Sequence, residues 1–200
     1  MAWTEKRTDP PLARESTIDG GHVYREITPD RDDLRIAGLA ALAVAIHVAE
    51  TVVPSPMPGI RPGLANIIVV TVLVLFGWRA AAWVAILRVV AGGLLVGTFL
   101  SPTFMLSLAG AVSAVAALGV ARWLPGIGPV GLSLLASMAH MSGQFLLAWL
   151  WLVPHPALPM LLPVLLTAAV AFGCLNGMIT ASLLRRLNQD TRDPRRSMHE

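Results

Sequence analysis

From Leu34 to Leu184 the chain carries a single acidic residue, Glu50, and five arginines. Two of those charges, Glu50 and Arg88, stand inside runs otherwise apolar enough to cross a bilayer. A water-facing surface cannot be built from such a stretch, because soluble domains are about a quarter charged. Here 14% of residues are charged, 55% are hydrophobic and the mean hydropathy is +0.67. The fold class that follows is all-α, a polytopic membrane protein whose helices satisfy their own backbone hydrogen bonds in hydrocarbon. We expect one membrane domain and no second folded unit.

Crossing the hydrocarbon takes about 20 residues at roughly 1.5 Å rise each. Six segments answer to this: Leu34–Val53, Leu64–Phe76, Ala80–Thr98, Thr103–Ala121, Val130–Val153 and Met160–Leu184. The second is short. Between them stand breakers: PSPMPGIRPG (54–63), Gly77, Ser101-Pro102, RWLPGIGP (122–129) and Pro154-His155-Pro156. Pro159 and Pro163 fall in the first turns of the sixth segment, where proline is tolerated.

With an even number of spans, both termini share one side. That side holds thirteen Lys and Arg and the other holds Arg61 alone, so the positive-inside rule puts both ends in the cytoplasm. The location expected is the cytoplasmic (inner) membrane. Trp78, Trp123, Trp149 and Trp151 fall near span ends, as an interfacial aromatic belt requires. Residues 1–33 hold eight acidic and five basic residues and no apolar run after a basic start. They are not a signal peptide, and are expected as a disordered cytoplasmic tail. Residues 185–200 form a basic cytoplasmic tail. The pI near 10.0 comes from tails and loops, so no nucleic acid partner is expected. Cys174 is the only cysteine, which rules out an intrachain disulfide or a CxxC site.

An ionised group at membrane depth costs about 2.5–3.5 kcal/mol on insertion scales and marks a functional site by default. Glu50 lies one turn from the outer end of span 1, with His47 one turn deeper. Asn66 lies about one turn inside span 2 from the same side. Arg88 is near the middle of span 3, and His140 and Gln144 share a face of span 5 at i, i+4. Arg61 is in the loop above. These groups can line one cavity open to the outside. Equally, Glu50 and Arg88 can pair to hold helices together, and His140 and Gln144 can bond between helices for about 0.6–2 kcal/mol each. The loop 54–63, with four prolines and two glycines, suits a lid over such a cavity as well as a surface turn. Ala37, Ala41, Ala45 and Ala49 form a small-residue stripe on span 1, serving either packing within the chain or docking to a partner. There is no Walker A sequence, GxSxG, HExxH or pair of metal-binding carboxylates. No cofactor, metal or catalytic residue is expected.

Glu50 with PSPMPGIRPGLANI (54–67), LRVVAGGLL (87–95), SLAG (107–110) and AHMSGQ (139–144) resembles the membrane family called Gx transporter. That family is also known as heptaprenyl diphosphate synthase component I. It is similar in turn to the substrate-binding S components of energy-coupling factor transporters, six-helix proteins with an outward-facing site under the first loop. The resemblance covers roughly residues 40–184. It implies a small-molecule solute as ligand, and as partners a transmembrane coupling subunit and ATPase subunits that dock on small residues of helix 1. Carried over, it places Glu50, Arg61, Asn66, Arg88, His140 and Gln144 at or near the site. Met141 stands where the family's HNxGQ pattern has Asn, and the acidic N-terminal tail lies outside that pattern.

Three functions are therefore carried forward: the solute-binding subunit of an uptake transporter, a membrane component associated with polyprenyl diphosphate synthesis, and a ligand-free structural subunit. Prenyl transfer needs Asp-rich motifs that hold Mg²⁺ on a diphosphate. Here Asp30, Asp32 and Asp33 lie in the polar tail, and no aspartate occurs from Leu34 to Leu184. The expectation is a protein that is not an enzyme.

Overall fold

A computed structural model of the protein describes residues 18–19, 22–23, 30–52, 65–124 and 126–190. Apart from a two-residue antiparallel ladder (Ile18–Asp19 with His22–Val23), the described residues are helical: α1 Arg31–Val52, α2 Ala65–Phe76, α3 Trp78–Val96, α4 Pro102–Ala121, α5 Pro129–Leu147 and α6 Leu162–Asp190. A π-helical turn (Ala148–Leu152) prolongs α5, and a 3-10 turn (Leu158–Leu161) leads into α6. All six expected segments are helices. The expected lid, with Arg61, lies outside the described residues, as does most of the N-terminal tail.

Local chemistry explains the boundaries. Gly77 has φ 89°, a backbone conformation that side chains oppose, and it lets α2 turn directly into α3. Ser101 caps α4 by accepting a hydrogen bond from the Phe104 N–H at 3.3 Å, with Pro102 in the first turn. Two boundaries move outward from the sequence reading. Helix α1 takes in Arg31–Asp33, with Asp32 and Asp33 favourably placed at the positive helix end, and α6 continues to Asp190.

Four units are long and apolar enough to cross a membrane: α3, α4, α5 with its π turn, and α6 with its 3-10 turn. Helix α1 has the length, but four of its first five residues are charged. Helix α2 has only 12 residues, about 18 Å at helical rise, which is little more than half the hydrocarbon thickness. Six full spans therefore do not follow from length and composition.

The short helix is the centre of the bundle. Residues 65–73 are all buried; a helix apolar on every side is stable only when covered on every side. Helices α1, α3, α4, α5 and α6 follow one another as packed neighbours, and α2 touches α1, α3, α5 and α6. Glycines set the closest approaches. On α6, Gly173 and Gly177 form a GxxxG pair facing α5: a Cβ at Gly177 would lie 2.7 Å from Val130 Cα. On α5, Gly143 lies against Ser113 and the Ala109 carbonyl of α4. A buried polar group, Ser133 on α5 with Asn176 and Thr180 on α6, occupies the end of the bundle near the α4–α5 turn; the Thr180 hydroxyl donates back to the Asn176 carbonyl at 2.8 Å.

Candidate functional site

Depth follows from helix register. Asn66 and Arg88 stand eleven residues before and after the Gly77 turn, so both lie roughly 16 Å from it. The antiparallel register of α3 and α4 is pinned at both ends. The Trp78 ring lies on Gly119, its Nε1 donating to the Val115 carbonyl at 2.9 Å, and Phe104 lies on Gly93. Arg88 is thereby level with Ala109 and Gly110. Gly110 in turn carries the span-5 pair, since a Cβ there would come within 2.7 Å of the His140 ring and 2.9 Å of Gln144 Cγ. Arg88, His140 and Gln144 thus occupy one layer, and Asn66 is at the same distance from the Gly77 turn.

Within the layer, Arg88 is 4% exposed and within electrostatic range of Glu50. His140 is within electrostatic range of Arg88 and His47, and its ring rests against Gly110. Glu50 and Arg88 are thus within electrostatic range of each other, and His140 and Gln144 share the face of α5 that lies on Gly110. The Nε of Arg88 has no hydrogen-bond partner among the described residues. Glu50, His47, His140 and Gln144 are partly exposed.

Asn66 is the second described residue of α2. It is 6% exposed, and neither its Oδ1 nor its Nδ2 has a partner among the described residues. A buried amide without partners costs about 1–3 kcal/mol.

Two glycines that matter here were not singled out as site residues. Gly92 lies under His47, where a Cβ would be 2.5 Å from Cδ2, and Gly110 lies under His140 and Gln144. Both belong to the segments LRVVAGGLL and SLAG, so the motifs held a signal, but only as unexplained glycines. They give the two imidazoles room between close helices. Beside them His47, Gly92, Thr103, Phe104 and Ser107 line a cavity of about 10 Å³, enough for one water. Among the described residues no three His, Cys, Asp or Glu converge as a metal site. The arrangement can offer a guanidinium, two imidazoles, two amides and one carboxylate to a polar group held away from water.

The alanine stripe also has a definite place. Ala37, Ala41, Ala45 and Ala49 are all exposed, whereas Ala43 on another side of α1 is fully buried. The stripe does not serve packing within the described chain.

A family model described as heptaprenyl diphosphate synthase component I matches residues 39–183. No curated protein and no solved structure gives a match.

Proposed function

Since the chain belongs to the heptaprenyl diphosphate synthase component I family, and its helices include four able to cross a membrane, we propose that it is the solute-binding membrane subunit of an energy-coupling-factor-type uptake transporter. The observation that carries this reading is Asn66: an amide 6% exposed with both polar atoms unpartnered among the described residues. A purely structural core replaces such a group or satisfies it. A binding site keeps it for a ligand. At the same distance from the Gly77 turn, Arg88 offers an Nε with no partner among the described residues, and a guanidinium is suited to an acidic group. The solute is accordingly a small molecule with an acidic head, held by Arg88 and Asn66, with His140 and Gln144 beside it. Glu50 balances Arg88 when the site is empty; Arg61, outside the described residues, is the remaining candidate contact.

The partners in this reading are a transmembrane coupling subunit and ATPase subunits, since the chain has no nucleotide-binding loop of its own. The exposed stripe of Ala37, Ala41, Ala45 and Ala49 supports docking, because small side chains let a partner helix approach closely. The chain itself is proposed to be non-catalytic. The family's name favours a second reading, a membrane component associated with polyprenyl diphosphate synthesis. Prenyl transfer by the purified protein with Mg²⁺ and a soluble partner subunit would establish that reading instead.

The test is mass spectrometry of small molecules retained after gentle solubilisation. Wild type is expected to carry an acidic solute. Gln144→Ala is expected to lose at least tenfold of it while thermal stability changes by less than about 1 kcal/mol, as for a partly exposed side chain. Equal retention by wild type and variant would remove Gln144 from the site. No retained solute in wild type, even after growth in rich medium, would favour the ligand-free reading.

Both termini are proposed to face the cytoplasm of a bacterial inner membrane, with the polar layer reached from outside. In a Cys174→Ala background, a cysteine at His155 should react with an impermeant reagent added to intact cells. One at Trp123 should react only after permeabilisation. The reverse pattern would turn the site toward the cytoplasm and end the uptake reading.

A further inference from the structure

Arg122, which follows α4, rests against Trp78 at the start of α3, at the end of these helices far from Glu50. The Arg122 guanidinium carbon lies 5.9 Å from the Trp78 ring centre and 5.6 Å from that of Trp123. Two indoles thus hold this planar cation by cation–π attraction. Neither Arg79 nor Arg122 forms an ion pair among the described residues, and Glu50, the one acid between Leu34 and Leu184, is at the other end of the bundle. Both guanidiniums are thus without an ion-pair partner among the described residues. Beside them, Trp78, Arg79, Ala82, Trp83 and Ile86 line a groove of about 270 Å³ along one side of α3. Its outer wall, Trp83, is 68% exposed.

A groove with an apolar floor, Arg79 at its interfacial end and Arg122 on the Trp78 ring that lines it matches one kind of occupant in charge and in shape. Guanidinium groups bind phosphate through paired N–H donors, indoles settle at headgroup depth, and basic pockets between membrane helices collect anionic headgroups. We infer that this groove binds one anionic phospholipid, its phosphate on Arg79 and Arg122 and an acyl chain along Ala82, Trp83 and Ile86. The site is separate from the polar layer, and stands whether or not the uptake reading does. A diffuse basic surface would draw anionic lipid without holding one molecule; the groove and the stacked Arg122 define a single place.

The test is native mass spectrometry of the full-length protein in detergent, titrated with phosphatidylglycerol or with phosphatidylcholine of the same acyl chains. Each arginine near the surface contributes roughly fivefold in affinity, so wild type should bind a first phosphatidylglycerol about thirtyfold more tightly than phosphatidylcholine. Arg79→Gln should lower that preference about fivefold, Arg79→Lys should keep most of it, and Arg79→Gln with Arg122→Gln should abolish it. Trp83→Ala should weaken both lipids alike. Absence of any preference in wild type, or a preference that survives the double substitution, overturns the proposal. Should loss of the Arg122 stacking lower the melting temperature of the double variant, Arg79→Gln decides alone. Arg79 is exposed and unpaired among the described residues, so an unchanged preference in that variant is equally decisive.

Discussion

Replacing Asn66 by leucine is expected to make the solute-free protein more stable and, in the same step, to abolish solute retention. Both side-chain polar atoms of Asn66 lack a partner among the described residues, and the residue is 6% exposed. An unsatisfied buried amide costs about 1–3 kcal/mol. Leucine has a similar shape and brings no polar atom into a site surrounded by the buried residues of α2. With stability shifts of about 2–4 °C per kcal/mol for a chain of this size, melting of Asn66→Leu in detergent should rise by roughly 2–10 °C. Wild type should recover or exceed that gain when its solute is present, because a ligand that binds only the folded state stabilises it by mass action. Stability given up in the empty state for the sake of a ligand is the signature of a binding residue. A lower melting temperature together with wild-type solute retention would show that Asn66 is satisfied within the chain and takes no part in binding.

Strong non-additivity is expected between Glu50→Gln and Arg88→Gln. The two groups lie within electrostatic range of each other, and Arg88 is 4% exposed. Removing the carboxylate leaves a guanidinium in low dielectric with less to offset its desolvation, a loss of roughly 3–5 kcal/mol for fully buried pairs. Because Glu50 is only partly buried, a coupling near the lower end, about 3 kcal/mol, is expected from a double-mutant cycle on unfolding in detergent. The double variant should be less damaged than the sum of the single ones. Additive losses would mean that each charge is supported by other groups, His140 for instance, and that the pair is not the anchor of the layer.

Much of this was legible in the chain. In hydrocarbon the helix is the obligatory solution for the backbone, so apolar runs separated by Gly and Pro map directly onto helices. Gly77, Ser101-Pro102 and Pro129 mark boundaries within two residues of those observed. The candidate polar residues were equally conspicuous. Against so apolar a background, Glu50, Arg88, His140 and Gln144 are the groups whose place within the helices demands a reason, and opposite charge alone suggested that Glu50 and Arg88 lie within electrostatic range.

What could not be read was which side of each helix faces which neighbour. In a soluble helix the polar stripe shows the outside. In a membrane, lipid is as apolar as the protein interior, and helix association relies on close packing and hydrogen bonds instead. An alanine or glycine facing lipid therefore looks the same as one facing a helix. Ala37, Ala41, Ala45 and Ala49 proved exposed, while Gly92 and Gly110 proved to be the floor beneath His47, His140 and Gln144. The burial of Asn66 was hidden for a related reason. A run of apolar residues does not show whether it faces lipid or protein, and α2 from Ala65 to Leu73 is buried among four neighbours. Local residue chemistry, together with the demand that every backbone group be satisfied, was enough to specify helices and their breaks. Their facing and depth come from packing between segments distant in the chain, where steric fit at a few glycines selects among arrangements that hydropathy leaves equal.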